Sequence, residues 1–480
     1  MKTPILGSSY VTRSVNAADS RMVNLFPEAV PEGGLEPAFL QRAPGLAFLQ
    51  TVGSGPIRGL WAHQTNGSDF YVVSGNQVYK LTSTTATPTL IGTVNGTGPV
   101  SIADNGTQIF FACNPDAFIY NENLGTFTQI VDPDFPGAQM VAYLDGYFVF
   151  SQPNSQLIWV TQLLDGTQIE PLDFASAEGS PDGVVAIVVD HRELWVFGTD
   201  STEVWYDAGL ADFPLARIQG AFNEIGCVAP YSVAKLDNSV FWLGTDARGQ
   251  GIVYRANGYT GARISTHAVE WQIQQYTTLS DAVAYTYQQD GHSFYVLNFP
   301  TANTTWVFDA ATQVWHERAG LVNGAFVRQR ANNQCNFLGS IVVGDFENSN
   351  IYTLDLDTFA DNGNPQRWLR SWRALPTGQN NFKRTAQHSL QLTCESGVGL
   401  VTGQGSDPQV MLEWSDDGGH TWSNEHWASM GAIGDYATRV IWRRLGMTTK
   451  LRDRVYRVSG TDPVRLFITG AELIISGSTS

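Results

Sequence analysis

The sequence predicts an all-β protein: a β-propeller of about seven blades, with six as the alternative count, followed by a C-terminal β-sandwich-like domain. An apolar strand, a tight polar turn, a second apolar strand and a third recur as one unit seven times between about residues 56 and 355. Equivalent positions Tyr71, Phe110, Phe148, Trp195, Phe241, Tyr295 and Val342 lie 39, 38, 47, 46, 54 and 47 residues apart. A period of roughly 40–50 residues with one short sheet per repeat is the mark of propeller blades. The turns agree. Asn66-Gly67, Asn105-Gly106, Asp145-Gly146 and Asp290-Gly291 each separate two apolar runs. A type I′ hairpin turn needs φ > 0 at both central residues, which Asn, Asp and Gly tolerate best.

Along the chain, residues 1–50 show little strand periodicity and read as an extended N-terminal arm lying across other elements; Pro31-Glu32-Gly33-Gly34 breaks any regular structure there. Residues 51–366 form the propeller. Its second and third strands pair as Phe70–Val73 with Gln77–Leu81, Ile109–Ala112 with Phe118–Tyr120, and so on to Ile341–Val343 with Ile351–Leu354. Asp190-His191 and Asp237-Asn238 fill two turns with poorer chemistry, and residues 170–182 and 208–226 read as long inter-blade loops. A short helix is expected at Thr266–Gln275. Asp361-Asn362-Gly363-Asn364-Pro365 then breaks the chain, basic residues begin, and residues 367–480 form the C-terminal β domain. Its strands are expected at Leu390–Cys394, Val410–Trp414, Thr438–Arg443, Arg454–Val458 and Val464–Ile468, where apolar and polar residues alternate.

Charged residues make up 15% of the 480, while 47 glycines and 12% aromatics suit a turn-rich protein with broad packed faces. The longest apolar run, Val184–Val189, is far short of the roughly 20 residues of a membrane helix. The residues after Met1 lack the apolar stretch of a signal peptide, so synthesis and folding in a cytoplasm, with no membrane anchor, are expected. The net charge of −17 is uneven. Residues 367–480 hold 13 Lys/Arg against 10 Asp/Glu, a net of +3, and residues 1–366 hold 15 against 35, a net of −20. An acidic body repels phosphates, which excludes nucleic-acid binding by charge neutralisation. Such charge either keeps a very soluble protein from self-association or lines a passage through which DNA moves without sticking.

Ser415-Asp416-Asp417-Gly418-Gly419-His420-Thr421-Trp422 holds one Asp-box, built from Ser415, Asp417, Gly419, Thr421 and Trp422 and similar to the hairpin turns of sialidases and related propellers. It is a structural turn: the Asp caps backbone N–H groups and the Gly takes a positive φ. A sialidase carries several copies together with an arginine triad and a tyrosine nucleophile, and one turn does not make that site. Cys113, Cys227, Cys335 and Cys394 are scattered without CxxC spacing and read as buried free thiols. Asp355, Asp357 and Asp361 lack the spacing and closing Glu of a calcium loop. There is no HExxH, Walker loop, GxSxG or Rossmann fingerprint, so no catalytic, metal or cofactor site and no enzyme activity is expected. Eight basic residues crowd 439–465, among them Arg443, Arg444, Arg452, Arg454 and Arg457. They are either a solvated strand face or a docking surface for an acidic partner, including this protein's own body in a neighbouring subunit.

Short stretches in order along almost the whole chain resemble the packaged-DNA stabilisation, or tail-nozzle, proteins of short-tailed bacteriophages. They are Arg21-Met22-Val23-Asn24-Leu25-Phe26-Pro27-Glu28, Arg42-Ala43-Pro44-Gly45-Leu46, and Ser180-Pro181-Asp182-Gly183-Val184 before Leu194-Trp195-Val196-Phe197-Gly198 and Thr202-Glu203-Val204-Trp205-Tyr206. Gly226-Cys227-Val228-Ala229 and Ile441-Trp442-Arg443-Arg444-Leu445-Gly446 continue the series. The resemblance implies a structural virion protein of the tail, made in the bacterial host cytoplasm. As members of that family do, it would assemble as a homohexamer below the portal and head-to-tail adaptor. Tail needle, fibre or spike proteins would be its neighbours, and it would retain double-stranded DNA and conduct it without sequence-specific binding. Asn24, Phe26, Pro27 and Glu28, with Arg443, Arg444, Arg452, Arg454 and Arg457, are the candidate assembly interface. The competing class is a carbohydrate-binding or sialidase-like glycan-active propeller.

Overall fold

The computed structural model describes residues 1–480 except 12, 14–18, 31–35, 64–68, 178, 212, 376–382, 450–452 and 478–480. Seven antiparallel sheets form the propeller, and successive inner strands neighbour one another around the ring. The inner strands of blades 1 to 4 are Ile57–Ala62, Ser101–Asp104, Met140–Leu144 and Val184–Asp190. Those of blades 5 to 7 are Ala234–Leu236, Val283–Gln289 and Ala331–Phe337, the last of which packs against the first. The repeat positions Tyr71, Phe110, Phe148, Phe241, Tyr295 and Val342 are fully buried, and Trp195 nearly so. Aromatic rings fill the gaps between sheets: Phe70 stacks on Phe337 at 5.0 Å, Phe110 meets Phe148 at 5.4 Å, and Phe241 stacks on Tyr295 at 5.4 Å. Each such ring removes a large apolar area from water, which holds neighbouring blades face to face.

Most turns between first and second strands have the positive φ expected of them. Asp145-Gly146 (47°, 105°), Asp237-Asn238 (50°, 57°), Asp290-Gly291 (52°, 80°) and Leu338-Gly339 (48°, 78°) are of this kind. In Asn105-Gly106 only Gly106 is (91°), and Asn105 Oδ1 instead accepts from Thr107 N and Gln108 N at 3.0 and 2.7 Å. In blade 4 the central pair is His191-Arg192 (50°, 60°), one residue beyond the Asp190-His191 expected, because Asp190 still pairs with Glu193 across the hairpin. Asn66-Gly67 lies outside the described residues.

Each blade has a fourth, outer strand. In blades 1 to 5 it is largely solvent-facing, with a mixed pattern that sequence periodicity does not mark, whereas that of blade 6, Val314–Val322, is mostly buried. Leu215–Asn223, inside the stretch read as an inter-blade loop, is the outer strand of blade 4, and Phe174–Ser176 is that of blade 3. The outer strand of blade 7 comes from the N-terminal segment: Gly45–Thr51 pairs antiparallel with Asn350–Asp355. The short helix is His267–Gln274, capped by Thr266, whose Oγ1 accepts from Val269 N.

The C-terminal domain is a sandwich of two sheets, and both include arm residues. One sheet orders Leu25–Ala29, Ala38–Arg42, Phe467–Gly477, Thr385–Cys394 and Val440–Arg443. The facing strands Trp368–Arg373, Val455–Gly460, Gln409–Ser415 and His426–Ser429 belong to a ten-stranded sheet. That sheet continues through Met22–Val23 into the outer strand of blade 6, Val314–Val322. The two-residue strand Met22–Val23 therefore joins propeller and sandwich edge to edge. Ile5, Met22, Leu25 and Leu40 pack into the sandwich core with Trp372, Leu390, Leu412, Trp442 and Val458. The arm read as residues 1–50 is thus woven into both bodies.

Candidate assembly surfaces and the inter-domain staple

The arm residues singled out from sequence meet at the seam between the two bodies. Asn24 sits in the left-handed region (φ 53°), a conformation its short polar side chain tolerates. It is buried. Its Nδ2 donates to Ala319 O and Arg367 O, both at 2.8 Å, and Oδ1 accepts from Ala319 N at 2.9 Å. One side chain thereby ties the arm to blade 6 and to the chain leading into the sandwich. Phe26, 1% exposed, packs edge-on against His292 and Phe294 and stacks on His316. Pro27 is buried beside it. These three side chains are occupied within the chain, so they hold the arm rather than face a second copy.

Glu28 completes the seam. Its carboxylate lies 2.6 Å from His292 Nε2, and Asp309 lies 2.7 Å from His292 Nδ1. Burial alone would lower the imidazole pKa. The hydrogen bonds and negative charge of Asp309 and Glu28 outweigh it and raise the pKa to about 9. His292 is therefore a cation clamped between the arm and blade 6. Neighbouring His316 has the opposite fate: fully buried, with neither ring nitrogen hydrogen-bonded among the described residues, it is pushed down to about 3 by burial and then by the charge of Arg318.

The basic run divides into two groups. Arg454, 2% exposed, makes two 2.7 Å bonds to the Asp416 carboxylate and a 2.6 Å bond to Leu445 O. Arg457 pairs with Glu413 at 2.9 and 2.8 Å and lies 3.9 Å over the Trp422 ring. Both are fixed inside the sandwich's own network. Arg443 and Arg444 are exposed and make no ion pair among the described residues. Arg452 lies outside the described residues. In the Asp-box, Asp417 Oδ1 accepts from His420 N and Thr421 N at 3.0 and 2.9 Å, and Ser415 Oγ donates to it at 2.6 Å. Trp422 Nε1 donates to Gly419 O. The hydrogen bonds from Ser415 and then Thr421 hold the Asp417 carboxyl well below the usual carboxylate range. The turn's polar atoms are consumed by the turn itself.

The propeller axis is stoppered. The inner strand of blade 5 is interrupted by a 3-10 turn, Pro230–Ser232, which packs between the inner strands of blades 4 and 6. From it the Tyr231 hydroxyl reaches Pro99 O, 3.0 Å away, at the entrance to blade 2 on the far side of the ring. Above this bar lies a cavity of about 560 Å³ lined by residues including Thr97, Asn114, Asp281 and Asn332. A duplex has no way through a ring that a tyrosine spans.

Known proteins sharpen this picture. A family model described as the β-propeller of bacteriophage P22 Gp10 matches residues 1–359, and one described as the P22 Gp10 β-sandwich matches residues 367–476. The chain belongs to the P22 Gp10 family. It is accordingly a structural protein of a phage tail. No curated protein matches it. Among solved structures, a catalytically inactive virginiamycin B lyase from Staphylococcus aureus aligns at TM-score 0.43 and 12% identity, over 64% of this chain and 98% of that one. The N-terminal domain of Nup159 aligns at TM-score 0.41 and 11% identity, over 70% and 99%. The designed protein Ika8 aligns at 0.39 and 14%, over 70% and 99%.

In this Gp10-family chain the motifs that carry the resemblance are structural. Gly45 is required because a Cβ there would lie 2.3 Å from Thr358 O. Asp182 accepts from Asp200 N and Ser201 N at 2.8 and 3.0 Å and so caps the second turn of blade 4. Glu203 is buried and bonded to Gly179 N and Trp205 Nε1. Buried Arg42 donates to the carbonyls of Asp462, Val464, Phe359 and Gln366 and so links arm, sandwich and connecting chain. Sequence reasoning passed over His292 and Asp309. Their only sequence signal is a polar residue at an inward strand position.

Proposed function

We propose that this protein is the tail nozzle of a short-tailed phage: a non-enzymatic virion component below the portal and adaptor that retains packaged DNA and conducts it during ejection. The observation that carries the reading is the match of both Gp10 family domains, in order, over nearly the whole chain. The stoppered axis supports a conduit between copies rather than through one propeller. The −20 charge of residues 1–366 supports a conduit wall on which DNA does not stick. Arg443 and Arg444, which make no ion pair among the described residues, supply a contact surface for assembly, in a homohexamer with adaptor, needle and fibre or spike proteins as neighbours. The absence of catalysis is part of the reading: the one enzyme-like motif has its Asp417 oxygens committed to the turn.

Immunogold labelling of purified phage particles tests it. Label at the distal end of the short tail is the expected result. Label on the head alone, or protein found only free in the lysate, overturns the nozzle reading.

A further inference from the structure

The turns between third and fourth strands of blades 2, 3 and 4 lie side by side on one rim of the propeller and carry five exposed leucines. Leu124 is 71% exposed, Leu163 57%, Leu164 59%, Leu172 68% and Leu210 55%. Three of them, Leu163, Leu164 and Leu172, fall within the single turn of blade 3, a local concentration of exposed apolar side chains of the kind that marks contact sites. The loop bearing three of them is built, not loose. Leu164 N donates to Gly146 O at 2.8 Å, Asn105 Nδ2 donates to Leu164 O, and Gly166 N donates to Gln108 Oε1 at 2.7 Å. Leu163 packs so closely that a Cβ on Gly146 would lie 2.5 Å from its Cδ1. Leu164 itself has φ +60°, a strained state for a leucine that the surrounding bonds impose. Strain is thus spent to hold an apolar side chain in water, in a loop that also carries Asp165 and the exposed Glu170.

Such a surface suits an apolar partner with a basic rim, and this chain carries one. On the outer face of the sandwich, Arg443 and Ile474 both register on Ser389 from the strands on either side of it. An arginine with no ion pair among the described residues and a 60% exposed isoleucine thus flank that serine on one face. Arg444 and the 42% exposed Met447 follow directly. The sandwich domain has net +3 and the rest −20.

We propose that the leucine rim of blades 2–4 docks the Arg443–Arg444 face of the sandwich of a second copy. This deepens the assembly reading above and rests on it. The two surfaces differ, so the contact is head-to-tail and closes into a ring when its rotation permits. Preformed loops lower the entropic cost of such a contact, and the Leu–Ile packing with Arg–carboxylate pairs gives it specificity.

A photo-crosslinking amino acid at Leu172, placed in full-length protein, tests the contact in purified particles and in concentrated purified protein. Dimer-sized adducts joining it to residues 440–449 or 471–477 are expected. Arg443→Glu with Arg444→Glu should cut them at least tenfold, and adding Glu170→Lys should restore them in part. Adducts to another virion protein, or no adducts in either preparation, overturn the proposal. If the protein is absent from particles yet gives the adducts in solution, the nozzle reading fails and the contact stands.

Discussion

Asn24 is the residue on which the seam depends most. Asn24→Ala removes three buried hydrogen bonds and puts a Cβ residue without a compensating amide at φ 53°, a change expected to cost about 3 kcal/mol or more. Asn24→Gly keeps the backbone at ease and should cost less; denaturant titration ranks the two. His292 sets a pH dependence of definite sign. Its pKa is raised from 6.5 to about 9 on folding, so its stabilisation is complete below about pH 6.5 and is lost as pH rises through about 9. His316, lowered to about 3, works the other way: its contribution is full above pH 6.5 and is lost as pH falls through about 3. Melting temperature measured from pH 6 to 10 should fall at the alkaline end, and His292→Gln should flatten that slope. Asn24 and Glu28 stood out in the sequence as parts of a motif, but their roles did not. Their partners Ala319, Arg367 and His292 are more than 260 residues away, and nothing local encodes that meeting.

Among elements, the inner three strands of each blade were legible because burial on both faces makes them near-continuous apolar runs, as in Ile109–Ala112 and Phe294–Leu297. Outer strands such as Leu215–Asn223 were not, since one edge and much of one face meet water and the pattern becomes mixed. Gly45–Thr51 was hidden for a further reason: it completes a sheet whose other strands lie 300 residues on. Deleting residues 1–51 should therefore do more than shorten the chain. It leaves blade 7 with three strands and bares the edges of Val314–Val322 and Trp368–Arg373, the kind of unpaired edge that recruits other chains. The expected outcome is aggregation on sizing, with protease cleavage concentrated in blade 7 and the sandwich. A soluble deletion variant with native protease resistance would contradict the arm's role.

At the scale of the whole molecule, the ten-stranded sheet runs through propeller and sandwich, so the two are expected to unfold together even though two family domains are recognised. Calorimetry on the full chain should show one unfolding transition with matching van't Hoff and calorimetric enthalpies. Two resolved transitions would mean that Met22–Val23 and Asn24 do not couple the domains. The charge imbalance was readable from composition, and so was the excess of basic residues near the C-terminus. What composition could not separate was Arg454 and Arg457, committed to Asp416 and Glu413, from Arg443 and Arg444, which are exposed and make no ion pair among the described residues. That sorting needs the register of the sandwich strands.

The closing strand Gly45–Thr51 also imposes a timetable. It leaves the ribosome about 300 residues ahead of its mate Asn350–Asp355, which at roughly 5–20 residues per second is a wait of about 15–60 s. During that interval the early blades can form, with Gln50 Nε2 donating to Ala86 O, while the strand lacks its paired mate. The ring and the sandwich are sealed together, near the end of translation, by residues made at its start. A nascent chain cut short before residue 350 consequently lacks both the closed ring and the sandwich.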